Sequence, residues 1–204
     1  MTAALLTACQ RGPDQGELDK SAQFFLDNGG LGILNTASRT YTRPCLQILN
    51  MKNTLLGGPI GSPDALITFI EKHRLAKTVH QDRPSGYEGV SLTPLPPYEA
   101  NWVGKQDFKS FCFGKPTLIN VELVADAKPI TAGEREAYII AGTEARATRL
   151  TFKLDNLPGG DFVSDLAQQP TLLARGSMKP DDYGRALTVI ATLPLKAENY
   201  DTTP

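Results

Sequence analysis

Few side chains in this sequence are suited to covalent, acid–base or metal chemistry: three cysteines, Cys9, Cys45 and Cys112, and two histidines, His73 and His80, in 204 residues. The histidines stand seven apart around the end of an expected helix. Two helical turns would bring them roughly to one side, but His80 falls beyond the helix, and no nearby cysteine or paired acid completes a metal-ligand set. Each reads as an ordinary surface or core histidine. Nucleophile signatures are missing too: there is no HExxH, no GxSxG elbow, no Ser-x-x-Lys and no CxxC pair. The loop Gly57 to Ser62 is similar in outline to a phosphate cradle, because backbone amides at a helix start bind anions. It lacks the lysine and the spacing of a P-loop, and helix capping explains it. Glu134, Glu136 and Glu144, or Asp181 and Asp182, would act as paired carboxylates only if buried, and they fall beside strand ends and turns where solvated charges are expected. No catalytic residue, metal ligand or cofactor is therefore expected.

Cys9 is different. Leu6, Thr7 and Ala8 precede it, all of Met1 to Ala8 is small or apolar, and the chain turns polar at once with Gln10, Arg11, Gly12, Pro13, Asp14, Gln15 and Gly16. An apolar residue, two small residues and a cysteine form the lipobox at which bacterial signal peptides are cleaved and the thiol is acylated with diacylglycerol. Residues 1–9 are thus expected to be a signal segment and 10–16 a tether. A full signal peptide has a basic start and an apolar core of roughly 7 to 15 residues; no Lys or Arg precedes Arg11, so the segment reads as truncated. Gln10 after the lipidated Cys9, rather than Asp, resembles the sorting signal for the periplasmic face of the outer membrane.

Composition sets the remaining bounds. A hydrophobic fraction of 41% is enough for a substantial core. Lys and Arg number 21 against 22 Asp and Glu, which gives no nucleic-acid footprint. No run approaches the roughly 18 apolar residues of a membrane span, so attachment is expected through lipid alone. With Cys9 lipidated, Cys45 and Cys112 remain as an even pair in an exported protein and are expected to form a disulfide. Such a long loop would contribute about 4 kcal/mol in the chain-entropy model. The alternative is two free buried thiols, since Phe111 and Phe113 flank Cys112 as in a core strand.

The elements that must position these residues follow from periodicity. Leu18, Ala22, Phe25 and Leu26 predict an amphipathic helix over 17–27, stopped by Asn28, Gly29 and Gly30. The mixed stretch 31–56 leaves 45–51 open between strand and helical turn. Ser62 as N-cap, Pro63 at the first position and Asp64 on the dipole predict a second helix, with Leu66, Phe69, Ile70 and His73 on one face. A hairpin of 78–81 and 89–92 about Pro84, Ser85 and Gly86 follows. Helix plus hairpin resembles a winged helix, but Lys72, Arg74, Lys77 and Arg83 are too few and too interspersed with acids for phosphate contacts. Strands are predicted over 115–125, 136–141, 147–154 and 185–193, with a short helix over 161–169. The expected fold is α+β: a mostly helical subdomain over 17–93 with a small hairpin, a link at Pro94 to Pro97, and over 98–204 an antiparallel sheet of about four strands with one packed helix.

The aromatic group Tyr98, Trp102, Phe108, Phe111 and Phe113 reads as a packed seam, with Tyr98 and Trp102 as candidate binding residues because such rings are favoured at interfaces. The segment Leu92, Thr93, Pro94, the turn Phe111, Cys112, Phe113, Gly114 and the stretch 146–157 resemble small uncharacterised lipoproteins of proteobacteria. In that group a Phe, Cys, aromatic, Gly turn opens a β-rich half. The resemblance covers about half the chain and implies an envelope location and an α+β body, with no catalytic residues to carry over. The expected function is that of a lipid-anchored envelope protein that binds another envelope or secreted protein without catalysing a reaction. Two alternatives are a periplasmic immunity lipoprotein directed against a delivered toxin, which an exposed acidic or aromatic patch would favour, and an envelope enzyme acting on glycan or lipid. A pocket gathering His73 or His80 with carboxylates would favour the enzyme.

Overall fold

The structure, a computed structural model, describes residues 14–28, 43–57, 63–82, 88–133, 138–175 and 177–201. Cys9 lies outside the described residues, as do Ser62, Glu134 and Glu136. The helices are α1 (Gln15–Asp27), α2 (Asp64–Lys72) and α3 (Phe162–Gln168). The strands are β1 (Leu49–Asn50), β2 (Thr54–Leu56), β3 (Ala76–Asp82), β4 (Glu88–Pro94), β5 (Trp102–Lys105), β6 (Phe108–Phe111), β7 (Lys115–Leu123), β8 (Ile130–Thr131), β9 (Glu144–Asp155) and β10 (Leu187–Pro194).

The molecule is mostly β, 40% strand against 26% helix, with three sheets among the described residues, which corrects the expected α+β fold and its helical N-terminal half. Between residues 17 and 93, α1 and α2 absorb the helical periodicity, and the other regular elements described there are the strands β1 to β4. These short strands exist because each has a partner: Leu49 opposes Lys109, Thr54 opposes Val90 and Asp82 opposes Glu88. Strand formation of this kind depends on tertiary context more than on local propensity.

The chain divides into two compact units, each discontinuous in sequence. The first is drawn from Met1–Ile33, Leu118–Phe152 and Leu187–Pro204. Asp14 caps α1 by accepting from the Gly16 amide at 2.8 Å. Leu18, Ser21, Ala22, Phe25 and Leu26 are buried at the spacing of one helical face, and α1 runs beside β10 and the 3-10 turn Ala197–Asn199. Its sheet has the order β10-β9-β7, with β8 pairing β9. β10 pairs β9 antiparallel from Leu187 opposite Phe152 to Pro194 opposite Ala145. Leu150 and Phe152 on β9 are buried while Arg149 is exposed, the alternation of a half-covered sheet. Two details correct the expectation here. The predicted strand at 136–141 is absent among the described residues: Ile139 makes only an isolated bridge with Tyr200, and β8 takes the place beside β9. The helix on this unit is α1, because α3 belongs to the second unit.

The second unit, Leu34–Thr117 and Lys153–Ala186, holds two sheets ordered β1-β6-β5 and β2-β4-β3. Met51 ties the sheets together, its amide donating to Asp107 O at 2.7 Å and its carbonyl accepting from the Leu92 amide at 2.7 Å. Leu66, Ile67, Phe69 and Ile70 of α2 enter a core with Phe111, Phe113 and Phe162. Phe162 is its hub, edge-on to Phe113 at 4.9 Å and to Phe69 at 5.1 Å. Fully burying one such ring is worth roughly 1.5–3 kcal/mol. The hairpin of β5 and β6 requires Gly104, since a Cβ there would lie 2.1 Å from Phe108 O.

Candidate functional site

The segment 43–47 is held as an extended thread. Leu46 N donates to Phe111 O at 2.8 Å, Phe113 N to Pro44 O at 3.0 Å and Ala174 N to Cys45 O at 2.8 Å. Cys45 and Cys112 face each other in an antiparallel bridge and are joined by a disulfide, with Cα atoms 4.0 Å apart. This is the expected bond, and it excludes the alternative of two free thiols.

The disulfide brings Arg43 against the turn that follows β6. Arg43 Nη2 donates to Cys112 O at 2.9 Å, and Asn101 Nδ2 donates to the same carbonyl at 2.8 Å. Arg43 Nε is buried, with no acceptor among the described residues. Burial lowers the guanidinium pKa, although an arginine remains charged in a protein. Arg43 opens onto a recess of about 280 Å³. Lys115 supplies a second cation at its rim, Asn101 and Asn156 supply amides, and Pro97, Tyr98, Leu157 and Pro158 supply apolar wall. Gly114 is buried at the base with φ +71°, where a Cβ would press to 3.3 Å on Leu154 and Leu157. Among the described residues no Asp or Glu lines the recess.

Tyr98 is half-buried, edge-on to Phe111 at 5.7 Å, and forms part of the recess wall. Trp102 is placed otherwise. It is 6% exposed, packs on Phe111 at 5.5 Å and donates its indole N–H to Leu75 O at 3.2 Å, a core role. Neither Arg43 nor Lys115 stands out in the sequence by type or motif. The available signal was indirect: a bond between Cys45 and Cys112 places the residue two before Cys45 near the residues just after Cys112.

The two histidines part company. His73, at the C-terminus of α2, lies between Phe69 and Phe162, with ring centres 4.4 and 5.2 Å away. Its Nε2 is 2.8 Å from Asp165 Oδ2, and Lys72 Nζ approaches the same oxygen to 2.6 Å. Lys72, more than His73, holds the Asp165 carboxyl below its usual range. His80 on β3 joins Glu71 on α2 to Glu88 on β4: Nε2 is 2.8 Å from Glu71 Oε1, Nδ1 is bonded to Glu88, and Thr78 Oγ1 donates to Glu71 at 2.6 Å. The hydrogen bond with Glu71, followed by that with Glu88, raises the His80 pKa, and Thr78 and then His80 lower that of Glu71. Glu71, His80 and Glu88 edge a groove of about 460 Å³. With both ring nitrogens committed to carboxylates, the arrangement is a charged clasp, poorly placed to accept a substrate proton. Among the described residues no group of three His, Cys, Asp or Glu is placed to hold a metal ion.

Of the acids considered in sequence, Glu144 pairs with Arg146 at 2.8 Å, and Asp181 and Asp182 sit in a 3-10 turn. No described helix is long and apolar enough to cross a membrane. No family model, no curated protein and no solved structure matches the chain.

Proposed function

We propose that this is a lipid-anchored cell-envelope protein, acylated at Cys9 and held at the periplasmic face of the outer membrane, that binds another envelope or secreted protein without catalysing a reaction. The observation that carries the binding role is the recess beside Tyr98, where an aromatic ring borders a half-buried guanidinium that has no acid beside it among the described residues. Aromatic and arginine side chains together are the usual anchors of recognition surfaces. The Cys45–Cys112 disulfide supports the address, since such bonds persist in oxidising compartments. The residues preceding Cys9 and the resemblance to proteobacterial lipoproteins supply the anchor.

Two measurements in cells test the two parts. Metabolic labelling with an alkyne fatty acid should mark the full-length protein in the outer-membrane fraction and be lost in Cys9→Ser; equal labelling of the variant removes the anchor. A photoreactive residue at position 98 should give one stoichiometric protein adduct that Arg43→Gln reduces at least tenfold. An adduct insensitive to Arg43, or none with working controls elsewhere on the surface, removes the binding site.

One observation favours an envelope enzyme instead: the groove edged by Glu71, His80 and Glu88 gathers a histidine with two carboxylates. That reading requires purified protein to release products from peptidoglycan or phospholipid vesicles, and His80→Gln to abolish the release.

A further inference from the structure

We infer that the recess beside the disulfide receives a carboxylate attached to an apolar residue of a partner's polypeptide, with Arg43 and Lys115 as its counter-charges. The inference rests on the reading of this recess as the partner site and names what enters it.

Three observations converge. Arg43 is held in place by a hydrogen bond to a neutral carbonyl, Cys112 O at 2.9 Å, and among the described residues no carboxylate lies within ion-pair reach of Arg43 or Lys115. Exposed cations such as Arg74, Lys77 and Lys179 also make no ion pair among the described residues, but they stay in water, whereas Arg43 is half-buried. A cation withdrawn from water without a counter-charge is costly, and an arriving anion offsets that cost with charge-assisted hydrogen bonds. Second, Nη2 spends one hydrogen on Cys112 O and Nη1 makes no bond among the described residues, so the guanidinium keeps donors for a planar carboxylate. Asn101 spends one amide hydrogen on Cys112 O and its second has no acceptor among the described residues.

Third, the walls choose among anions. Tyr98, Leu157, Pro97 and Pro158 present apolar surface around the two cations, which suits a monoanion carried by an apolar residue better than a strongly hydrated phosphate dianion. A volume of about 280 Å³ is at the lower edge of ligand pockets, roughly 300–1,000 Å³. It fits one residue with its carboxylate, as at a chain end or on an acidic residue next to an apolar one.

The test uses the full-length, disulfide-bonded protein and small probes in titration calorimetry with backbone amide shifts. N-acetylphenylalanine is expected to bind, shifting the amides of Asn101, Gly114 and Lys115. Its amide should bind at least tenfold more weakly. Arg43→Gln should weaken the acid at least tenfold and Lys115→Gln about threefold. Lys115 is exposed, so its variant keeps the test open if Arg43→Gln fails to fold. N-acetylglutamic acid α-amide, with only a side-chain carboxylate, separates the two sources: tighter binding of N-acetylphenylalanine assigns a chain end, and tighter binding of the glutamyl probe an acidic side chain. Equal binding of acid and amide, binding of inorganic phosphate as tight as that of the acid, or no binding of either carboxylate would overturn the inference. If the position-98 adduct forms in cells while both carboxylates fail, the partner site stands and its carboxylate specificity falls.

Discussion

At the scale of single residues, the polar groups that matter most are those buried inside the first unit. Ser21 is fully buried on the inner face of α1, and its Oγ donates to Pro194 O at 2.6 Å. The Tyr200 hydroxyl donates to Ser21 O at 3.1 Å, its ring stacks on Phe24 at 5.0 Å, and burial raises its pKa. Ser21→Ala strands a buried carbonyl and should cost about 1–3 kcal/mol in urea denaturation. A change under a few tenths would mean that Pro194 O finds another donor. Arg43 belongs to the same scale with the opposite logic: its charge is held by the fold with no acid beside it among the described residues, which suits recognition better than stability.

At the scale of elements, the clasp of His80, Glu71 and Glu88 fastens α2 to the hairpin of β3 and β4. The folded pKa of His80 lies above its ordinary 6.5, so its contribution is complete below pH 6.5 and is lost as pH rises through the folded value. Glu71 is lowered from 4.5, so its contribution is present above pH 4.5 and is lost as pH falls through its folded value. The clasp is therefore strongest between these two ordinary values. All three side chains are about two-fifths exposed, and the gain is expected to be only about 0.2–1 kcal/mol. Urea midpoints for the wild type and His80→Gln should differ near pH 6 and converge as pH rises through the folded His80 pKa. A difference independent of pH would assign His80 a packing role.

At the scale of the whole molecule, one covalent bond spans 67 residues of the second unit and fixes the thread that carries Arg43. The chain-entropy model credits a loop of this length with about 4 kcal/mol. The Cys45→Ala, Cys112→Ala double variant should lose about 2–5 kcal/mol by denaturant titration. It should also lose the probe binding expected of Arg43, because the thread is no longer clamped to the turn at Gly114. Full retention of binding without the disulfide would show that the backbone bonds of residues 44–46 hold Arg43 alone.

What the sequence determined by itself was local. The burial face of α1, the apolar face of α2 and the hairpin flanking Pro84 to Gly86 are written in spacings of a few residues, and the helical periods and strand alternation that mark them need no distant partner. The pairing of Cys45 with Cys112 was legible because, once Cys9 is set aside, only one pair remains. Tertiary structure decided the rest. β1 and β2 are too short to announce themselves and exist through partners at 108–109 and 88–90. α3 was readable as a helix, but which core received Phe162 was not, since each unit is assembled from separated stretches of chain. The candidate site shows the same division. Tyr98 drew attention by residue type, whereas Arg43, Asn101 and Lys115 are unremarkable until the disulfide and the turn at Gly114 gather them around one recess. A side chain's type is local information; its distance from another side chain belongs to the folded backbone.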